Sequence, residues 1–402
     1  MSNPKPRLWG GILFVAGTSI GAGMLALPVV TAAYGFWPAI SLFLGSWFFM
    51  LLAALFILEV NLWLPLEANI IAMANNTLGG LGEIVTWVFY LLLLYILMAA
   101  YLSGIDSMLE TFFASFFHVH LSTHFGLLLL VFCSFFIVYL GIRAVDLLNR
   151  FFMFGLVVCY CLLVLFIAPH LQLGYLVPGS FRHVYWALPV VMSSFGFQII
   201  VPTLRLYLNN DLGAIKRAII VGSSIPLLIY LVWEALILGA LPIQGPGGLL
   251  SILKSGQPAV DLAQALKQSF SNPLLASLAT SFSFFAMTTS FMGVSLSLFD
   301  FLSDGFKGKR LLEGRFKAIV LTVLPPALFV TLYPGGFILA LGYAGTCTAI
   351  LLGILPVLMV WRGRYILKIP TRESYRVPGG WASLLFVLLC SVLVIVVELL
   401  KT

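Results

Sequence analysis

Residues 17–28 read GTSIGAGMLALP, and this stretch, set inside an apolar run long enough to cross a bilayer, decides the kind of fold. Gly17, Gly21 and Gly23 fall at mid-depth of the run 8–33, with Pro28 further along. Glycine tolerates non-helical backbone, and proline removes an amide donor from the helical ladder. Backbone polar groups freed in lipid are costly, so such an interruption survives only where protein or a water-filled cavity satisfies it. A second run carries the same signature. Residues 187–202 read ALPVVMSSFGFQIIVP, with Pro189, the pair Ser193 and Ser194, Gly196, Gln198 and Pro202.

Composition fixes the solvent around these breaks. The 402 residues are 61% hydrophobic and 9% charged, with mean hydropathy +1.11, whereas soluble domains carry about 25% charged residues. A bilayer span needs about 20 apolar residues. Runs of that kind are expected near 8–33, 36–62, 82–106, 125–142, 151–170, 185–208, 217–241, 274–302, 316–333, 336–361 and 379–400. They follow one another with short connectors, so residues 1–402 are expected to form a single transmembrane domain. The first run lacks a cleavage-type small-residue site and leads directly into a second span, which argues against a removed signal peptide.

Charge sets the expected orientation. With the N-terminus inside, seventeen of the 21 Lys and Arg residues fall on the cytoplasmic side. Only Arg182, Lys254, Lys267 and Lys401 are left outside. The positive-inside rule therefore supports eleven spans, N-terminus cytoplasmic and C-terminus periplasmic. The net charge of +7 is explained by this topology. No basic face with interleaved aromatics points to nucleic acid. The longest extramembrane stretch, 242–273, is external and ends in the amphipathic AVDLAQALKQSF, which suits either a short helical cap or a plain connector.

The breaks lie in the first and sixth spans. Five spans separate them and five is odd, so spans 1–5 (about 8–170) and 6–10 (about 185–361) have opposite orientations, with the span at about 379–400 extra. Interrupted segments at matching places in two inverted halves point to the central site of a transporter. Gly17 and Gly21 also fit small-residue helix packing, but that reading leaves the second break unexplained. A broken pair suits a zwitterion. Free amides and a positive helix end face a carboxylate, while carbonyls ending the other half attract an ammonium. Phe195, Phe197 and Tyr95 are candidates for an aromatic wall, and Gln198 for a polar handle.

An acid within a span is a candidate for function. Glu59 and Glu234 lie well inside their spans, whereas Asp106 and Asp300 lie nearer the interfaces. Burial alters the proton affinity of a carboxyl, so either Glu59 or Glu234 is a candidate proton carrier, gating contact or packing contact. The five histidines fall in external connectors and the five cysteines in apolar runs. The cysteines lack metal-ligand spacing; His118-x-His120 could bind a metal, but in an exposed connector solvated histidines are the expectation, and no metal or cofactor is expected. No nucleophile has a histidine at matching depth, so no enzyme is indicated. No helix carries the repeated polar stripe that a channel lining requires.

The run GTSIGAGMLALP, the segment SSFGFQIIVP, the stretch SFMGVSLSLFDFLSD at 290–304 and LPPALFVTLYPGGFILALGYAG at 324–345 resemble the bacterial aromatic amino acid permeases specific for tyrosine and tryptophan. The likeness covers essentially the whole chain. It implies an all-α membrane protein of LeuT type, a 5+5 inverted repeat plus one further helix, in a bacterial inner membrane. It also implies import of an aromatic amino acid, tyrosine before tryptophan, by proton symport and alternating access. By resemblance, Gly17, Thr18, Ser19, Ile20, Gly21, Ala22, Gly23 and Met24, with Ser193, Ser194, Phe195, Gly196, Phe197 and Gln198, hold the substrate backbone. Gln198 departs from relatives that carry histidine there. A second likeness, of FFAMTTS at 284–290 to sodium-coupled members of the LeuT type, implies a sodium site at Thr289 and Ser290 with the carbonyls of Ala286, Gly17 and Ile20. Proton and sodium therefore both stand as coupling ions, and a broader neutral amino acid carrier as an alternative. The oligomeric state is left open.

Overall fold

The computed structural model describes residues 4–117, 142–176, 179–245, 247–270, 272–305, 311–333, 335–369 and 375–401. Among them the regular structure is helical. Among the described residues eight helices are long and apolar enough to cross a membrane, and the pair Arg7–Ser19 and Gly23–Thr31, bent by 55° at a short break, supplies one more. The expected ninth span survives as a shorter apolar helix, Lys317–Leu332, with Pro325 and Pro326 inside it. The expected fourth span, 125–142, lies outside the described residues except for its last position, and His118, His120, His124 and Cys133 lie outside them too. The other expected spans are found with ends within a turn or so of the sequence reading, apart from the third, which runs on past its expected end as Gly80–Phe117, and the fifth, which begins well before its expected start as Ile142–Ile167.

The spans are nearly uniformly apolar, so what holds them together is close packing between small residues rather than exclusion of water. The seventh span, Leu212–Ala240, lies along the first half of the first span, Pro4–Ser19. At Gly222 an added Cβ would stand 2.6 Å from the Val15 Cβ and 2.8 Å from the Ile12 carbonyl oxygen. The tenth span approaches the sixth more closely still, since a Cβ at Gly345 would strike the backbone of Pro189. These contacts bring the seventh and tenth spans against the two interrupted ones.

The tenth span is not a plain helix. Its α-helical part Phe337–Thr348 passes into a π-helical turn, Ala349–Ile354, then an α-helix, Leu355–Trp361, and a second π turn, Arg362–Ile366. Single π turns shift the direction in which side chains point, and the second one holds Arg364 against Glu59 in the second span. A short helix that the apolar pattern does not signal, Ile70–Leu78, follows the second span. Its first turn is capped by Asn69, whose side-chain oxygen accepts the Ala72 N–H at 2.9 Å, as an N-cap asparagine should. The stretch 242–273 forms two helices, Leu249–Ser255 and Pro258–Phe270. The second is amphipathic and buries Val260, Leu262 and Leu266. Both pack on the half-helix Gly23–Thr31.

Candidate functional site at the paired helix breaks

The first span stops being helical at Ser19 and restarts at Gly23. The Ile20 N–H still reaches the Ala16 carbonyl at 3.0 Å, and the next half-helix opens with Met24 on Gly21 and Leu25 on Ala22. The Ala22 N–H, left without a helical acceptor, donates to the Ser290 hydroxyl at 3.1 Å. The sixth span runs helical over Leu188–Ser194, opens at Phe195–Phe197, passes through one 3₁₀ turn, Gln198–Ile200, and resumes as Val201–Tyr207. Both interruptions therefore fall where the glycines and the serine pair place them. The prolines act differently from expectation. Pro189 and Pro202 sit in the first turn of each half-helix, where a missing N–H breaks no bond, so they start helices rather than end them. Pro28 is carried inside the half-helix Gly23–Thr31.

The two breaks meet. A Cβ at Gly23 would lie 2.7 Å from the Ser194 hydroxyl oxygen and 3.3 Å from the Ser194 Cα, so absence of a side chain is what lets the restart of one broken helix touch the end of the other. At Gly21 a Cβ would strike the Ser290 hydroxyl of the eighth span. Across both breaks reaches Tyr230 of the seventh span, wholly buried. Its hydroxyl lies 2.6 Å from the carbonyl oxygen of Ser19 and 2.9 Å from that of Ser194. These carbonyls end the two interrupted helices, and one phenolic proton serves both. The Tyr230 ring is met edge-on by Phe195, with centroids 5.1 Å apart. Tyr101 of the third span, also buried, bonds Ser290 from the other side.

Tyr230 and Tyr101 were not singled out by the sequence reading. The available signal was the spacing of Tyr230 and Glu234, which are four apart and so share a helix face. Glu234, also wholly buried, grips the other half of the same broken span. The Thr31 hydroxyl stands 2.5 Å from Glu234 Oε1 and 2.7 Å from the Leu27 carbonyl oxygen. One face of the seventh span thus holds the last residue of the first half-helix, Ser19, through Tyr230 and the last residue of the second half-helix, Thr31, through Glu234.

The remaining sequence candidates separate into those at the breaks and those elsewhere. Met24, Phe195, Phe197 and Gln198 are buried there, while Gly17, Ile20, Ser193 and Gly196 are half-buried. The Ser193 and Ser194 hydroxyls both return to the Val190 carbonyl, at 2.8 and 3.0 Å. Gln198 donates to the Met50 carbonyl of the second span at 3.1 Å, and its side-chain oxygen is buried without a partner. The Thr18 hydroxyl turns back to the Phe14 carbonyl. The Tyr95 hydroxyl bonds the Leu321 carbonyl of the ninth span at 2.9 Å, away from both breaks. Thr289 is bonded within its own helix, to the carbonyls of Phe285 and Ala286 at 2.9 and 3.1 Å.

Glu59 is engaged differently from Glu234. Arg364 meets it with Nε on Oε1 at 2.6 Å and Nη2 on Oε2 at 2.5 Å, and the Val377 N–H adds a third bond to Oε2 at 2.7 Å. Such a two-pronged pair fixes geometry as well as charge. Beside it, burial with the Glu59 charge adding pushes the Tyr375 phenol up to about 12, and the Lys216 ammonium sits 5.3 Å from the Tyr375 ring centre. Arg205, at the end of the sixth span, bonds the Asn61 and Leu64 carbonyls and the Asn210 side chain. An ion pair and a set of arginine hydrogen bonds therefore close the protein around the end of the second span, at the end of the molecule opposite Thr31. Among the described residues, no group of His, Cys, Asp and Glu could hold a metal ion.

With that geometry in place, comparison with known proteins is informative. The model of the tryptophan/tyrosine permease family matches residues 4–398. The tyrosine-specific transport system 2 of Haemophilus influenzae is 32% identical over 98% of this chain and 97% of its own length. The tryptophan-specific transport protein of Pseudomonas aeruginosa is 33% identical over 96% and 93%. Tyrosine-specific transport system 1 of Haemophilus influenzae is 34% identical over 96% and 94%. Among solved structures, the manganese transporter of Eremococcus coleocola superposes with a TM-score of 0.59 over 98% of this chain and 86% of that one, at 16% identity. At that identity the likeness speaks for the fold alone.

Proposed function

The chain belongs to the tryptophan/tyrosine permease family, a family of transporters and not of enzymes, and on that premise we propose that it imports aromatic amino acids, tyrosine before tryptophan, by proton symport and alternating access. We read it as an eleven-span protein of a bacterial inner membrane, N-terminus cytoplasmic and C-terminus periplasmic. Its ten core spans form a 5+5 inverted repeat of LeuT type.

The observation that carries this reading is the bridge from Tyr230 to both breaks. The carbonyls of Ser19 and Ser194 converge on one point, which suits an ammonium that needs several acceptors. The restart of the first span at Gly23 places amides and a positive helix end nearby, which suits a carboxylate. Gly21 and Gly23 let the broken ends pack directly on Ser290 and Ser194, and buried Phe195 and Phe197 suit an aromatic ring beside them. Movement between inward- and outward-open forms is taken up at the breaks, because a half-helix can tilt there without breaking its own ladder.

Glu234 is the proton carrier in this scheme. Thr31 has one hydroxyl proton and two close acceptors, the Leu27 carbonyl and Glu234 Oε1. Both contacts are met without sharing that one proton when the carboxyl supplies a second. Loss of that proton releases or redirects Thr31, and so the outer half-helix. Glu59 is a tie between spans, and the Ser290 hydroxyl is an acceptor for the Ala22 amide, which supports a structural part for both.

The deciding test is uptake of labelled tyrosine into proteoliposomes under a proton gradient or a sodium gradient alone. Accumulation under the proton gradient is expected. Accumulation under sodium only would overturn the coupling, and no accumulation under either would overturn the substrate.

A further inference from the structure

At the end of the molecule that holds the Glu59–Arg364 tie, two basic side chains face outward. The second π turn of the tenth span, Arg362–Ile366, closes with the Leu367 N–H on the Arg362 carbonyl at 2.8 Å and the Ile369 N–H on the Gly363 carbonyl at 3.0 Å. Between them Lys368 takes a left-handed backbone, with φ 48°, a region that favours glycine. Its side chain is exposed, as is that of Arg376 in the connector to the eleventh span. Among the described residues neither has a carboxylate partner.

Beside these charges lies a pair of rings. Trp381, in the first turn of the eleventh span, stacks on Tyr365 with centroids 4.7 Å apart and planes at 23°. The two are 58% and 40% exposed, and the adjoining Ile366 and Leu367 are exposed as well. Tryptophan and tyrosine gather at the level of lipid headgroups, where an apolar ring body and a polar tip are both satisfied. Lys368 stands three residues past Tyr365 and Arg376 five before Trp381. The neighbour of Arg376, Val377, is fixed by its carbonyl, which accepts from Arg364 Nη2 at 3.2 Å. The Tyr365 phenol reaches Arg364 too, and Arg364 holds Glu59 by two bonds. The exposed stack is therefore joined to the buried tie through one guanidinium.

We propose that this surface binds an anionic phospholipid, phosphatidylglycerol, with its phosphate between Lys368 and Arg376 and its upper acyl chain along the Trp381–Tyr365 stack. Two cations without acidic neighbours attract a net negative headgroup, whereas the ammonium of a zwitterionic lipid is repelled by them. A lipid held there keeps Trp381 on Tyr365 and, through Tyr365, Arg364 on Glu59. It thereby steadies the closed end of the second span. The site depends on neither the substrate nor the coupling ion.

The test is native mass spectrometry of the purified full-length protein with equimolar phosphatidylglycerol and phosphatidylcholine. Retention of phosphatidylglycerol is expected. In Lys368→Gln combined with Arg376→Gln its affinity should fall about 30-fold, each basic residue near an anionic surface contributing about fivefold. Both side chains are exposed, so the double variant should elute and melt like the parent in lipid-free detergent. Trp381→Leu, which leaves both charges in place, should lose part of the same affinity. Phosphatidylglycerol should also raise the melting temperature of the parent, and Glu59→Gln, which lacks the tie, should lose most of that rise. Equal retention of the two lipids by the parent would overturn the site, as would unchanged phosphatidylglycerol binding in the double variant. Displacement of the lipid by glycerol 3-phosphate at matching concentration would make a soluble anion the occupant and overturn the proposal. Absence of tyrosine uptake with phosphatidylglycerol still retained would overturn the transport reading and leave this site supported.

Discussion

Replacing Tyr230 with phenylalanine removes one oxygen and leaves the ring. The edge contact with Phe195, at 5.1 Å between centroids, persists, so packing is nearly unchanged. What is lost is the donor shared by the Ser19 and Ser194 carbonyls, at 2.6 and 2.9 Å. Both are helix-ending carbonyls beside buried residues, and leaving a buried acceptor unsatisfied costs about 1–3 kcal/mol. Because one proton serves two acceptors, the loss is expected once rather than twice. That free energy corresponds to about 5- to 150-fold in an equilibrium constant, and it falls on the alignment of the two breaks. In proteoliposomes, Tyr230→Phe is therefore expected to lower tyrosine uptake at limiting substrate by a factor in that range. Expression, membrane insertion and the elution profile of the purified protein should match the unmodified chain. A well-folded Tyr230→Phe protein with unchanged uptake and unchanged tyrosine affinity would refute the view that the hydroxyl aligns the breaks.

Other substitutions probe the remaining parts of the site. Gly23→Ala puts a methyl 2.7 Å from the Ser194 hydroxyl and must push the breaks apart; uptake should be largely lost with insertion intact, and normal uptake would mean the breaks do not form the site. Phe197→Ala should weaken competition by tyrosine and tryptophan far more than by alanine, and equal losses in a competition assay would reduce Phe197 to packing. Glu234→Gln should remove the dependence of uptake on the proton gradient while counterflow persists, and an unaltered pH profile would exclude it as the carrier. Glu59→Gln leaves Arg364 buried without its carboxylate, a change that costs about 3–5 kcal/mol; a clear fall in melting temperature is expected, and a melting curve unchanged from the parent would show that the pair ties nothing together.

Much of the architecture was legible in the residues because its causes are local. Apolar runs near bilayer length stand out against a composition with few charges, without reference to any contact. The breaks were legible for the same reason, since Gly17–Gly23 and Ser193–Gly196 weaken the helix at those positions. The prolines misled only in their role. Pro189 and Pro202 open half-helices, and whether a proline ends or begins a helix depends on where the previous ladder stopped.

The partners across the fold were not legible, and the reason is geometric. A helix that is apolar on every side gives no phase, so nothing in the run of residues says that Tyr230 and Glu234 face the first span. Nor does it say that Ser290 accepts the Ala22 amide across 268 positions, or that Arg364 meets Glu59 across 305. Tyr95 shows the same limit, its hydroxyl spent on the ninth span. By itself the sequence determined that helices break in a membrane and where, because backbone freedom is a property of the residue and its neighbours. Only the tertiary structure decided which side chains close over those breaks. That choice is made by the close approach of helices at residues such as Gly23 and Gly345, where contact between distant segments sets the rotation of each one.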